Sequence, residues 1–280
     1  MTPVNAGSVD TVKELRERTG AGIMDCKAAL LASGGDIEKA IDFLRKKGMA
    51  QAAKRAGREA KEGVVVTRVQ GTKAALVEAN CETDFVARTD DFKNLATMAL
   101  EGVLAEGESA LSSPQIAQRI AELSGKIGEK ILVRRAKRVQ AKDGALFTYV
   151  HSNNKLGVVV ELKAAKQGAA LEELGKNLAM QVAASNPLAL TRSEVSASAV
   201  EREKAIFREE VKGKPENILE KIVQGKLNKF YQNACLLEQP FIKDDKMTVQ
   251  QLLNEASKTL GGPVEVRQFV RFQLGETPAV

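Results

Sequence analysis

The sequence predicts an α+β fold: an N-terminal module of three short helices, two related antiparallel-sheet/helix core units, and an antiparallel helical hairpin projecting from the second unit. Three observations carry this. Apolar residues recur at helical spacing over the first fifty residues, strand-like apolar runs begin near residue 64, and the chain echoes itself at an offset of 83 residues.

In the first module, Ser8 caps a helix with Val9, Val12 and Leu15 on one face, which Thr19-Gly20-Ala21-Gly22 ends. A second helix turns Ile23, Cys26, Leu30 and Leu31 inward and stops at Ser33-Gly34-Gly35. Asp36 caps the third, whose Ile37, Ala40, Ile41 and Leu44 keep helical spacing up to Gly48. Ala- and Lys-rich sequence then forms a helical linker to Gly63. Val64–Val69 and Lys73–Asn80, joined by Gln70-Gly71-Thr72, read as a β-hairpin. A helix from Asp90 through Leu100 buries Phe92, Leu95, Ala96 and Ala99, and another after Pro114 carries Ile116, Ile120 and Leu123.

The echo sets Val77-Glu78 over Val160-Glu161 and Lys93-Asn94-Leu95-Ala96 over Lys176-Asn177-Leu178-Ala179. These six identities fall at equivalent places in a hairpin-then-helix pattern. They imply a second unit with strands near 131–139, 145–151 and 156–163 and a helix over 169–184. That unit is interrupted by the hairpin: Ser193 caps one helix to about Lys212, Gly213-Lys214-Pro215 stops and restarts the chain, and a second helix carries Leu219, Val223, Leu227 and Phe230 to about Ala234. Arms of ~19 residues would each be ~28 Å long. A helix near 247–260 and a strand, Val264 to Leu274, complete the second sheet. The resulting division is 1–55 for the module, 56–143 for the first core unit, 144–190 with 237–280 for the second, and 191–236 for the hairpin.

Composition favours a binding protein over an enzyme. With 44% hydrophobic and 28% charged residues the chain has the balance of a soluble globular protein. No apolar run approaches a membrane span, and the start from Met1 to Ser8 resembles neither a signal nor a transit peptide, so a cytoplasmic location is expected. Cys26, Cys81 and Cys235 are far apart and read as reduced thiols. One histidine, His151, leaves no multi-histidine metal centre, and the phosphate-loop, nucleophile-elbow and dinucleotide fingerprints are missing. No catalytic residue, metal or cofactor is therefore expected. Two basic stretches, 43–62 and 126–142, support an alternative reading as an RNA- or ribosome-binding protein. Nine Phe, two Tyr and no Trp offer little for base stacking.

The densest unusual cluster runs from Cys81 to Phe92. Thr83 or Asp84 can cap one helix and Thr89 or Asp90 the next, which leaves a short helix or turn between them, and Phe85 can tuck under the sheet. His151, beside Ser152-Asn153-Asn154, has the setting of a satisfied turn residue.

Val12 to Lys27, including Arg18-Thr19-Gly20-Ala21-Gly22-Ile23-Met24, together with Thr83-Asp84-Phe85-Val86, closely resembles the bacterial elongation factor Ts family, the guanine-nucleotide exchange factors of elongation factor Tu. Lys126-Ile127-Gly128-Glu129, Tyr149-x-His151, Gln239-Pro240-Phe241 and Val270-Arg271-Phe272 extend the likeness over nearly the whole chain. The resemblance implies a ubiquitin-associated-like N-terminal domain, a two-part core and a coiled-coil hairpin. It also implies that Asp84 and Phe85, flanked by Thr83 and Val86, enter the GTPase near its magnesium site. Further implied contacts are Val12, Arg18, Gly22, Met24 and His151. The implied partner is elongation factor Tu, GDP-bound and nucleotide-free, with no nucleic acid required and no membrane; a homodimer or a higher complex is left open. Two departures stand out: Lys130 replaces the Asn of the family's Lys-Ile-Gly-Glu-Asn block, and the family's further C-terminal helix does not follow Leu274.

Overall fold

The computed structural model describes residues 8–213 and 215–277. Residues 1–7, Lys214 of the expected hairpin turn and 278–280 lie outside the described residues.

Helices α1 (Val9–Thr19), α2 (Ile23–Ala32) and α3 (Ile37–Arg55) form the first module. The Ser8 and Asp36 side chains cap α1 and α3, and Gly20 ends α1 at φ 65°. Val12, Leu15, Cys26, Ala29, Leu30 and Ala40 make the module's core. Val9, Ile23 and Leu31 are exposed rather than inward. Val9 and Ile23 open their helices one turn before the first covered residue, and Leu31 follows Leu30 by 100° of helix, so only one of that pair faces inward.

Gly48 does not stop α3. It is the point where α3 crosses α6 (Pro114–Ile127). A Cβ on Gly48 would lie 3.2 Å from the Ala121 carbonyl oxygen, and one on Gly125 would lie 3.3 Å from the Gly48 Cα. Such a close approach of two helix backbones favours glycine, and it seats the module on the core.

The core has two three-stranded antiparallel sheets. β1 (Glu62–Gln70), β2 (Lys73–Cys81) and β3 (Leu132–Gln140) form the first in that order; β4 (Ala145–Val150), β5 (Leu156–Lys163) and β8 (Glu265–Gln273) form the second. The strand over 132–140, grouped by the repeat with the second unit, pairs with β2 in the first sheet. Helix α5 (Asp90–Glu106) and α6 cover the first sheet's outer face, while α7 (Ala169–Ser185) and α10 (Val249–Leu260) pack on the second. Val65, Leu76, Val139, Leu146, Val159 and Phe272 fill the space between the sheets. The layers therefore run helix, sheet, sheet, helix.

The repeat extends below the level of identity. Phe92 of α5 and Val64 of β1 share one cluster of the first unit. Their counterparts at the 83-residue offset are Gly175 of α7 and Phe147 of β4, with size reversed. A Cβ on Gly175 would come within 2.1 Å of the Phe147 ring, so the small helix residue makes room for the large strand residue. Glu78 and Glu161 also correspond. Each is fully buried on its sheet's central strand, beside a register shift.

Between the halves of the second unit lie α8 (Ala197–Glu210) and α9 (Glu216–Ala234). Ser196, not Ser193, caps α8; Ser193 belongs to a 3-10 turn whose Glu194 carboxylate accepts from the Leu190 N–H at 3.0 Å. The first arm is therefore 14 residues rather than ~19. Arg208–Glu220 at 2.9 Å and Lys226–Glu210 pair across the two helices. A two-stranded hairpin, β6 (Pro240–Phe241) and β7 (Asp244–Thr248), was not signalled by the sequence pattern. Among the described residues, no helix is long and apolar enough to cross a membrane.

Candidate functional site

The segment after β2 is built from two caps. Thr83, with extended φ −122° and ψ 152°, accepts the Val86 N–H at 3.5 Å and opens the four-residue helix α4 (Asp84–Ala87). Thr89 then accepts the Phe92 N–H at 3.4 Å and opens α5. Of the cap alternatives open in the sequence, the two threonines are used. Helix α4 turns Val86 and Ala87 into the cluster around Phe92, Leu95 and Cys81. Phe85 points the other way and is 77% exposed. It does not tuck under the sheet, because the inward positions of so short a helix are already filled. Beside it Asp84 pairs with Arg88 at 2.6 Å, one turn along.

A second loop holds this one. The Glu129 carboxylate accepts three hydrogen bonds: from the Thr83 hydroxyl at 2.6 Å, the Thr83 N–H at 3.1 Å and the Glu82 N–H at 3.1 Å. Reciprocally, the Glu82 carboxylate accepts the Lys130 N–H at 2.6 Å and pairs with Arg58 at 3.2 Å. That N–H, and then Arg58, hold Glu82 below the usual carboxylate range. Lys130, the departure from the family block, donates through Nζ to the Ala56 and Arg58 carbonyls at 2.6 and 2.7 Å, just past the end of α3. Under the loop, the buried Cys81 thiol donates to the Thr83 carbonyl at 3.1 Å. Desolvation, with the charges of Glu129 and Glu62 adding, pushes that thiol up to about 12. The roles of Glu129 and Lys130 were not readable in advance; the block containing them was visible only as a likeness.

The other expected contact residues are divided between surface and core. Met24 is 75% exposed, and Gly22 is the exposed N-cap of α2. Arg18 pairs with Glu38 at 2.5 Å and, with Gly22, lines a cleft of about 350 Å³ between the α1–α2 loop, α3 and α6. Val12 and Val86 are buried in their respective cores, at 8% and 7% exposure, because each lies on the covered face of its helix. They hold the exposed residues in place from beneath. His151 is exposed in the β4–β5 turn, its Nδ1 2.9 Å from the Tyr149 hydroxyl. That turn lies at the same end of the sheets as Phe85: Lys155 pairs with Glu62 at 2.7 Å, and Glu62 stands opposite Cys81 in register.

The basic stretches are largely engaged internally. Lys47 pairs with Asp25, Arg58 with Glu82, Lys126 with Asp91, Arg134 and Arg135 with Glu78, and Lys137 with Glu108. Cations already facing carboxylates are poorly placed to track phosphates.

The family described as elongation factor TS matches residues 82–276. The chain is 46% identical over 284 residues to elongation factor Ts of Prosthecochloris aestuarii, covering 96% of this chain and 98% of that protein. It is 47% identical over 279 residues to that of Methylobacterium sp. (strain 4-46), covering 95% and 91%. Against that of Clostridium kluyveri it is 42% identical over 280 residues, covering 95% and 92%.

Proposed function

The chain belongs to the elongation factor Ts family, and from that membership we propose that it is the guanine-nucleotide exchange factor of elongation factor Tu, acting in translation elongation by loosening the GTPase's magnesium and phosphate site. It binds a partner and promotes release of its nucleotide rather than catalysing a reaction of its own. The observation that supports this best is the Asp84–Phe85 tip: a 77% exposed phenyl ring beside a carboxylate, on a short helix capped at its start and followed at once by another cap.

Mg²⁺ requires near-octahedral oxygen geometry and links protein to nucleotide phosphate, so a small displacement of the elements holding it weakens both. A phenyl ring entering an apolar gap provides the displacement, and burying it contributes roughly 1.5–3 kcal/mol. Weakening GDP about 10⁴-fold takes ~5.5 kcal/mol of differential binding. The tip therefore acts together with other surfaces: Arg18, Gly22 and Met24 of the N-terminal module, which has the ubiquitin-associated-like role, and His151 of the core. Thr83 holds the tip at its base, while Val12 and Val86 support these surfaces from within. The α8–α9 hairpin corresponds to the family's coiled coil. By linkage, the factor binds nucleotide-free elongation factor Tu more tightly than the GDP-bound form.

Stopped-flow release of a fluorescent GDP analogue from elongation factor Tu tests this, using wild type and the Asp84→Ala/Phe85→Ala double variant. Wild type accelerates release by orders of magnitude, and the double variant still binds but is much slower. Equal acceleration by the variant would remove the tip from the mechanism. No acceleration by wild type would overturn the exchange function, and steeply salt-dependent RNA binding would then support the rival reading.

A further inference from the structure

We propose that Glu129 is a positioning residue for exchange: its carboxylate fixes the attitude of α4, and hence of Phe85, from the loop between α6 and β3, which does not itself carry the tip. The effect on exchange rests on the function proposed above; the effect on the tip does not.

Helix α4 has only four residues, too few to set its own direction. Its backbone closes on itself through Ala87 N–H to Thr83 O at 3.3 Å, Arg88 N–H to Phe85 O at 3.3 Å and Thr89 N–H to Val86 O at 3.0 Å. Rigidity must come from what grips its ends. At the C-terminal end Val86 and Ala87 are packed in the core. At the N-terminal end the backbone N–H groups of Glu82 and Thr83 and the Thr83 hydroxyl all converge on one carboxylate, 46 and 47 residues away in sequence. Three bonds to an ionised acceptor are stronger than the same bonds to a neutral one.

Glu129 is itself fixed. It follows Gly128, which ends α6 in the left-handed region at φ 87°, and its carbonyl accepts the hydroxyl of the buried Ser124 at 2.6 Å. The reciprocal bond from the Lys130 N–H to Glu82 closes the clasp from the other side. The carboxylate meets these donors with both oxygens, Oε2 taking the two N–H groups and Oε1 the hydroxyl. An amide at 129 keeps one acceptor oxygen for the two N–H groups, but its NH₂ group must donate to the Thr83 hydroxyl instead of accepting from it, so that bond is reversed and the charge that strengthens all three is lost.

The chain contains no tryptophan, so Phe85→Trp introduces a single indole at the tip. Time-resolved anisotropy compares that protein with its Glu129→Gln derivative, with circular dichroism as the check on folding. The fast, large-amplitude component of the decay rises in the Glu129→Gln derivative. In stopped-flow exchange with Phe85 retained, Glu129→Gln lowers the maximal stimulated rate of GDP release about tenfold and moves the half-saturating concentration less than twofold, because the other docking surfaces are intact. Unchanged indole motion would overturn the proposal. So would a loss of rate that appears only as a proportionate rise in the half-saturating concentration, which would make Glu129 an ordinary contact. If Glu129→Gln fails to fold, Glu129→Asp, which keeps the charge but draws it back by one methylene, is put through the same two measurements with the same outcomes expected. Should wild type fail to accelerate release, the exchange reading falls and the anisotropy still decides whether Glu129 holds the tip.

Discussion

At the scale of single residues, Phe85 and Val86 are neighbours with opposite assignments. Phe85 is 77% exposed and Val86 is 7% exposed, so truncating each should separate function from stability. Phe85→Ala leaves the urea midpoint within about 0.5 kcal/mol of wild type, as for a surface change, while slowing exchange. Val86→Ala loses about 1–2 kcal/mol through lost burial and the cavity left behind. The thiols give a second residue-scale prediction. Cys26, Cys81 and Cys235 are all buried and unpaired. Burial raises each, Cys81 to about 12, so at pH 8 the reactive thiolate is scarce as well as covered. A charged disulfide reagent should react negligibly with native protein over minutes and with all three thiols in urea. Rapid native labelling would contradict the buried arrangement. That one cap lies at 83–84 and another at 89–90 was legible in the sequence, though not which residue of each pair makes it, because a cap bonds to a neighbour two or three residues away. Glu129 was not, because its partners are brought to it only by the tertiary fold.

Among the elements, glycine shows why local pattern reading stops where packing begins. Gly48 looked like helix punctuation and is instead a crossing point, a difference decided by α6 and invisible in residues 37–55 alone. The same substitution should therefore have opposite signs at two helical glycines. In α9 a Cβ on Gly225 would meet nothing within 4 Å, so Gly225→Ala stabilises the hairpin by about 0.5–1 kcal/mol through helix propensity. In α7 a Cβ on Gly175 would enter the Phe147 ring at 2.1 Å, so Gly175→Ala destabilises by about 1–3 kcal/mol through overpacking, despite the same propensity gain. Thermal unfolding followed by circular dichroism measures both; equal shifts would refute the size exchange between the repeats. Helix positions and the first hairpin were readable from periodicity. The two-residue β6 strand was not, since so short a segment has no period to detect.

For the molecule as a whole, the two core units are locked by exchanged chain ends. Glu78, in the first sheet, accepts the Gly275 N–H beyond β8 at 2.9 Å and pairs with Arg134 and Arg135 at 3.0 and 2.6 Å. Arg135 in turn donates to the Gln273 carbonyl at 2.9 Å and lies 4.2 Å above the Phe272 ring. Glu161, in the second sheet, accepts the Lys142 N–H beyond β3 at 2.8 Å and Gln268 at 2.5 Å. Each sheet's central carboxylate thus holds the segment that follows the other sheet's third strand. Burial acts to raise Glu78, but the Gly275 N–H, Arg135 and Arg134 outweigh it and leave the carboxyl below its usual 4.5. A carboxylate depressed in the folded state stabilises the protein fully above its unfolded value, and that contribution disappears as pH falls through the lower folded value. Glu78→Gln should therefore cost about 3 kcal/mol at pH 7, where it strands two arginines at a buried neutral partner. The difference from wild type should shrink as the pH falls below 4.5, because acid protonates the wild-type carboxyl and removes the same interaction. Urea denaturation of both proteins at pH 7, 5, 4 and 3 measures it. A difference that stays constant down to pH 3 would mean that the carboxyl's shape and not its charge joins the two sheets.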